Sequence, residues 1–380
     1  MVRAAVMPGP GKPIEIRHYP EPVPEPGAVV LRTLAAEVCG TDVHLWHGRL
    51  AGVPYPLIPG HVSVGEVAAT GGEIADIEGI PVRVGDAVTF LDVHETCHNC
   101  WYCLVAKAST RCPHRRVYGI TYGADEGLLG GWSERIYLKP GVKIVRLLPG
   151  VTPERWIAGG CGLPTALHAI DRAEIRIGDR VVIQGAGPVG LNACALALAS
   201  GASWVGIVDP SPLRREAARA MGADECFLAD AATTAAVRAA TGGRGADIVI
   251  EASGSPEAVP AGCELARDGG RYVLVGQYTD NGDVPINPHH HINRKHLEIR
   301  GCWGSDLSHI WRSMEVLARF GDRYPWDSLV TRRYSLEQAG EALADVEARR
   351  VVKAVIVPLI QILFPPIVRG RVCVHRLHSV

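Results

Sequence analysis

VVIQGAGPVGLNACALALA, Val181 to Ala199, runs from an apolar strand through a glycine-rich turn into a helix of small residues. In a strand–turn–helix unit with this spacing, Gly185 permits the tight turn, Gly187 lets the backbone approach a pyrophosphate, and Gly190 allows close helix packing. The helix opening near Pro188 points its positive end at the phosphates. Gly185, Gly187, Pro188, Val189 and Gly190 are therefore the expected phosphate-binding turn. The pattern alone also occurs in α/β domains that bind nothing, so its context decides. Asp209 closes the next apolar run, SWVGIVD, nineteen positions after Gly190, close to the interval of about 20 expected of a carboxylate that accepts the ribose hydroxyls of a dinucleotide. That carboxylate would repel a 2′-phosphate, which predicts NAD rather than NADP as cofactor. Arg214 and Arg215 follow at a helix start, where they read either as solvated charges or as contacts to phosphate or adenine; Arg214 is the candidate contact.

Working outward, the same texture continues on both sides of Asp209. Apolar runs RVVIQ, SWVGIVD, ADIVIEA and RYVLVG alternate with helical segments through Leu213–Met221 and Glu257–Ala266. Such alternation implies a doubly wound parallel sheet covered on both faces. Before it the chain is rich in Pro and Gly with short β-branched runs, an irregular β-rich domain. After it come helices near Leu307–Phe320 and Leu336–Glu347, then a last strand, VVKAVIVP. The simplest architecture inserts the nucleotide domain, residues 163–304, into a discontinuous β-rich domain made of residues 1–162 and 305–358. Residues 359–380 form an extension that carries no interpretable motif.

The β-rich part holds two groups of metal-ligand residues. Cys97, Cys100, Cys103 and Cys112 crowd into ETCHNCWYCLVAKASTRCPH, within a lobe of about residues 95–116. Four thiolates so close can enclose one Zn²⁺ and leave no position open, as structural zinc is held. Three further segments, VCGTDVH, PGHVSVGEV and GGCGLPTALHA, carry Cys39, His61 and Cys161. Singly, each reads as buried structure; together, two cysteines and a histidine match an open, catalytic zinc site with three protein ligands.

Composition excludes other classes. A chain of 380 residues exceeds what one core serves. With 47 % apolar and 21 % charged residues it is an ordinary globular protein rather than a disordered one. A formal charge of −1 recruits neither nucleic acid nor an anionic membrane. No apolar run approaches the roughly 20 residues of a membrane span. Eleven cysteines in a chain this large, four of them at metal spacing, suit a reducing cytoplasm better than a disulfide framework.

With these residues in place, the chain resembles the medium-chain, zinc-dependent alcohol dehydrogenases, which include sorbitol and threonine dehydrogenases, over approximately residues 1 to 358. The resemblance implies a GroES-like catalytic domain around a Rossmann domain. It also implies NAD, a catalytic zinc on Cys39, His61 and Cys161, and a structural zinc on the four-cysteine lobe. By similarity, Asp42 is the carboxylate that orients the ligand histidine, Thr41 the hydroxyl beside the reacting alcohol, and His44 the outer end of a proton relay. The implied reaction interconverts a secondary alcohol, polyol or amino alcohol and its carbonyl, in a homodimer or homotetramer. A zinc-free NADPH quinone or enone reductase of the same superfamily is the nearer rival, but such proteins lack the Cys39 and His61 pattern. Lys107, Arg111, Arg115 and Arg116 around the zinc lobe make nucleic-acid binding the remoter one.

Two positions depart from the family pattern. Val62 stands where a Glu usually follows the ligand histidine, and eight residues rather than seven separate Cys103 from Cys112. Glu66 lies on a predicted strand whose facing the sequence leaves open. Trp46, Trp132 and Trp303 are candidate pocket walls, His289–His291 reads as a solvated loop, and Cys194, Cys226, Cys263, Cys302 and Cys373 read as inert thiols.

Overall fold

A computed structural model of the chain describes residues 1–359, apart from the side chains of His94 and Glu95. The extension, with Cys373, lies outside the described residues. Strands β1 (Arg180–Gln184), β2 (Trp204–Val208), β3 (Glu225–Phe227), β4 (Ala246–Glu251), β5 (Ala266–Leu274) and β6 (Glu298–Gly301) form one parallel sheet in the order 3-2-1-4-5-6. The central strands β1, β2 and β4 are buried on both faces, which is why they are apolar without alternation. Val181, Ile183, Ile248 and Ile250 enter one core with helices Gly162–Ala173, Pro188–Ala199 and Leu307–Phe320. Val182 and Val249 enter the other, against Val237 and Cys263. Helix Pro188–Ala199 is buried from Gly190 to Ala197, so its small residues are needed on every side. The strand order reverses between β1 and β4, and a ligand crevice opens at the carboxyl ends of strands at such a point.

The second sheet is mostly antiparallel. Its strands run Val330–Tyr334, Lys353–Ile356, Val29–Val38, Ser63–Thr70, Ala87–Phe90 and Ile144–Arg146, with Arg135–Leu138 also pairing Val29–Val38. Strand Lys353–Ile356 lies antiparallel to Val29–Val38, with Ala354 opposite Val38. The chain thus returns after the inserted sheet to complete the domain it began, and this return, expected at 305, first enters the sheet at Val330. Helix Leu307–Phe320 before it packs in the core of the nucleotide domain's helices. The zinc lobe hangs from the short pair Val93–Glu95 and Arg116–Val117.

The glycine turn follows from sterics. Gly185 adopts φ +95, and a Cβ there would fall 2.8 Å from Ser253 Cα. A Cβ on Gly190 would fall 1.8 Å from the Gly185 carbonyl oxygen, whereas one on Gly187 would meet only Arg214 Nη1, at 3.9 Å. Gly190→Ala is therefore expected to destabilise the chain by about 1–3 kcal/mol, while Gly187→Ala changes stability by less than about 0.5 kcal/mol. Thermal or urea unfolding of both variants checks the contrast.

Candidate active site and metal centres

A cavity of about 1170 Å³ runs along the crevice, lined by residues of both domains. One end holds Cys39, Thr41, His44, His61 and Cys161; the other holds Gly185, Gly187, Pro188, Val189, Asp209 and Arg214. Gly190 does not line it, and its part is the packing described above.

Strand pairing brings Cys39 and His61 together, and a bond from the Cys161 N–H to Glu37 adds the third ligand. Ala36 lies opposite Ser63 in the antiparallel pair, so His61 falls across from the end of strand Val29–Val38, where Cys39 begins helix Gly40–Trp46. Cys161 stands at the start of helix Gly162–Ala173, an element the sequence reading did not anticipate. The donor atoms of Cys39, His61 and Cys161 all lie within 4.8 Å of one another. Cys39 Sγ accepts the Thr41 N–H at 3.3 Å, and the buried His61 Nδ1 has no partner among the described residues. Two thiols and an imidazole, converging beside an open cavity, fit an open zinc site.

The charges within this cluster are coupled. A hydrogen bond from the Cys161 thiol, reinforced by the His61 charge, holds the Cys39 thiol well below its ordinary range. The same bond pushes Cys161 well above. Burial would lower His61, yet the Cys39 thiolate and Asp42 raise it to about 10. Without metal the cluster therefore keeps protons that a divalent cation would displace.

Asp42 is fully buried, and burial followed by the Cys39 thiolate raises its carboxyl. Its Oδ2 accepts the Cys39 N–H at 2.8 Å, while Oδ1 has no hydrogen-bond partner among the described residues. The expected bond to the His61 ring is thus not formed among the described residues. Asp42 closes a capping box instead, because the helix start leaves the Cys39 N–H without another acceptor. Thr41 and His44 both face the cavity. His44 is half-buried, with its Nδ1 enclosed and unpartnered and its ring 6.5 Å from that of Tyr278. Burial, and then Arg49, lowers its pKa.

At the nucleotide end, Asp209 is buried, its Oδ2 accepting the Ala186 N–H at 2.7 Å and its Oδ1 the Ser211 N–H at 2.8 Å. It ties the glycine turn to the end of β2. Arg214 lies over the open face of Gly187 with a buried, unpartnered Nε. Arg215 donates to the Asp209 carbonyl at 2.7 Å.

The four-cysteine lobe is complete. Cys97, Cys100, Cys103 and Cys112 bring their sulfurs within 4.8 Å of one another. The longer Cys103–Cys112 interval is taken up by a turn of helix, Trp101–Leu104, left-handed backbone at Lys107 (φ 52) and a 3₁₀ turn, Ser109–Arg111. Burial opposes it, but N–H groups of Cys97 and His114 draw Cys112 down to about 7.

Several other candidates resolve. The Arg111 and Arg115 guanidiniums sit 5.1 and 5.3 Å from the Trp303 ring, and Arg116 pairs with Glu126 at 2.8 Å. Arg111, Arg115 and Arg116 are thus engaged within the chain, whereas Lys107 is exposed. Trp303 lines the cavity and stacks on Tyr278 at 5.8 Å; Trp132 is core, and Trp46 donates to the Lys12 carbonyl outside the cavity. His289–His291 forms a π-helical turn rather than a loop, capped by Asn287, and His291 approaches Glu264 at 3.4 Å. Glu66 pairs with Arg32 at 2.6 Å. Asp92, Arg115 and Tyr278 line the cavity without having been anticipated, because no local pattern marks them. Glu37 and Lys353 were missed for the same reason: their buried contact, at 2.7 Å, spans most of the chain.

Residues 25–149 match the alcohol dehydrogenase GroES-like domain family, and residues 188–319 the zinc-binding dehydrogenase family. The chain is 36 % identical to 5-exo-hydroxycamphor dehydrogenase of Pseudomonas putida, covering 93 % of this chain and 98 % of that protein. It is 31 % identical to an L-threonine 3-dehydrogenase of Pyrococcus horikoshii, over 86 % and 89 % of the two chains. An alcohol dehydrogenase from Thermotoga maritima superposes with a TM-score of 0.88 at 32 % identity, over 94 % of this chain and 99 % of its own. With the nucleotide turn, the three-ligand cluster and the four-cysteine lobe on one scaffold, the chain belongs to the medium-chain, zinc-dependent alcohol dehydrogenase family, whose reaction is NAD(P)-dependent alcohol oxidation.

Proposed function

We propose that the chain oxidises a secondary alcohol to the ketone, with NAD as acceptor, at the end of the cavity where Cys39, His61 and Cys161 converge. That convergence of three ligand atoms beside the glycine turn carries the reading. Cys39, His61 and Cys161 would hold a zinc ion that would supply Lewis-acid polarisation, and the glycine turn would hold the dinucleotide that would supply the hydride acceptor. The aromatic and apolar wall of Phe90, Val117, Ile120, Tyr278 and Trp303 suits a carbinol flanked by carbon on both sides. The hydroxycamphor relative acts, by its name, on such an alcohol.

This chain's own residues then handle the proton. Thr41 lines the cavity. His44, kept neutral by its lowered pKa, offers an unpartnered nitrogen on which a proton can leave. The two buried N–H contacts hold Asp209 as an acceptor for ribose hydroxyls, where a 2′-phosphate would meet a like charge. The engagement of Arg111, Arg115 and Arg116 within the chain favours this reading over nucleic-acid binding. No helix of the described residues is long and apolar enough to cross a membrane. None of the described cysteines is joined in a disulfide, which supports a reducing cytoplasm. A homodimer or homotetramer completes the reading by family resemblance.

His61→Ala should bind one zinc ion fewer per chain and lose turnover while retaining its fold and nucleotide binding; metal analysis beside steady-state kinetics decides. His44→Ala should lower kcat on the order of 10²-fold at neutral pH. In the unsubstituted chain kcat should fall only below the ordinary histidine range, because the neutral ring is the proton acceptor and its pKa is lowered; a pH–rate profile tests this. NAD should exceed NADP in kcat/KM by on the order of 10²-fold, as a like-charge contact of a few kcal/mol implies. Asp209→Ala should narrow that ratio.

A further inference from the structure

Glu37 and Lys353 are each 1 % exposed at the side chain and 2.7 Å apart. An ion pair stripped of water costs several kcal/mol per ion unless further hydrogen bonds repay it, so what else the pair holds is the question. Glu37 Oε2 accepts the N–H of Cys161 at 2.7 Å, and Lys353 Nζ donates to the Gly159 carbonyl at 3.3 Å. The pair therefore grips the segment Gly159–Cys161 on both sides. Gly160 leaves room for it: at φ +51, a Cβ there would fall 2.1 Å from Glu37 Oε2 and 2.4 Å from Lys353 Nζ. Glu37 also lies two residues before Cys39, and its own N–H donates to the Val62 carbonyl at 3.0 Å, beside His61. The carboxylate of Glu37 thus holds Cys161, while its backbone ties it beside Cys39 and His61. It arises from the strand next to Val62, the position where the family pattern would place a Glu.

We propose that the Glu37–Lys353 pair is a positioning device for the catalytic metal, in which Glu37 fixes Cys161 through its backbone N–H and Lys353 holds the Glu37 carboxylate in place. The inference rests on the reading of Cys39, His61 and Cys161 as the catalytic zinc ligands. It accounts for a buried charge pair that neither substrate nor cofactor needs to touch, and for Cys161 holding its place at a helix start where its own side chain makes no cap.

Two double variants separate positioning from bulk stability, because both remove the buried charges together. Glu37→Gln/Lys353→Met keeps an oxygen acceptor for the Cys161 N–H; Glu37→Leu/Lys353→Met does not. Measured as zinc released to a chelator, with NADH binding followed on the same samples, the Leu variant should lose one zinc per chain about 10- to 100-fold faster than the unsubstituted enzyme. The Gln variant should stay within a few-fold of it, with NADH affinity and the four-cysteine zinc unchanged in both. Gly160→Ala displaces the carboxylate without altering charge and should reproduce the Leu result. Wild-type zinc retention in a folded Leu or Gly160→Ala variant overturns the proposal, as does failure of both to fold, which would make the pair a core element only. Zinc absent from Cys39, His61 and Cys161 in the unsubstituted enzyme overturns instead the reading on which it rests.

Discussion

The pairing of strand Val29–Val38 with Ser63–Thr70 on one side and Lys353–Ile356 on the other is the constraint on which the site depends. Because side chains alternate with a period of two, a one-residue slip would turn every buried group on this strand to the opposite face. In the observed register Glu37 meets Lys353, Cys39 ends the strand facing the cavity, and His61 arrives from the neighbouring strand's approach. Segments separated by hundreds of residues thereby converge on one ligand cluster. The chain must also return from its inserted domain to supply Lys353, so completion of the sheet and completion of the site are one event.

Two sulfur clusters on one chain serve different ends, and their surroundings explain why. In the four-cysteine lobe the ligands come from one short, turning segment, and a fourth sulfur occupies the remaining position. A cation there has no place for a substrate and contributes folding energy. At Cys39, His61 and Cys161 three donors meet among the described residues, two of them buried and Cys161 half-buried, beside the cavity. Glu37, Lys353 and Asp42 lie around that cluster, Glu37 accepting the Cys161 N–H and Asp42 the Cys39 N–H.

The cavity exists because two domains face one another across it. Chemistry-bearing side chains come from the β-rich domain and the glycine turn from the parallel sheet. Trp303, just after β6, stacks on Tyr278 and carries Arg111 and Arg115 of the zinc lobe above its ring. The lobe that holds the closed metal cluster is in this way joined to a wall of the open site. Arg111 and Arg115, charged residues of the lobe, thereby meet an aromatic ring that follows the parallel sheet.

By itself the sequence determined the local units: the strand–turn–helix with Gly185, Gly187 and Gly190, the carboxylate closing the next strand, the alternation that makes a parallel sheet, and the spacing of Cys97 to Cys112. Each is legible because its physics is short-range, a turn that admits only glycine or sulfurs a few residues apart. Cys39, His61 and Cys161 could be nominated by residue type and resemblance, but only strand register brings them within reach of one another. The helix after Cys161, the capping role of Asp42, the burial of Trp132 and the π-helical turn at His289–His291 escaped the sequence because each depends on what packs opposite. Glu37 and Lys353 mark the limit most clearly. Neither belongs to a local pattern, and a charge becomes structural only when the folded chain removes its water and supplies its partner.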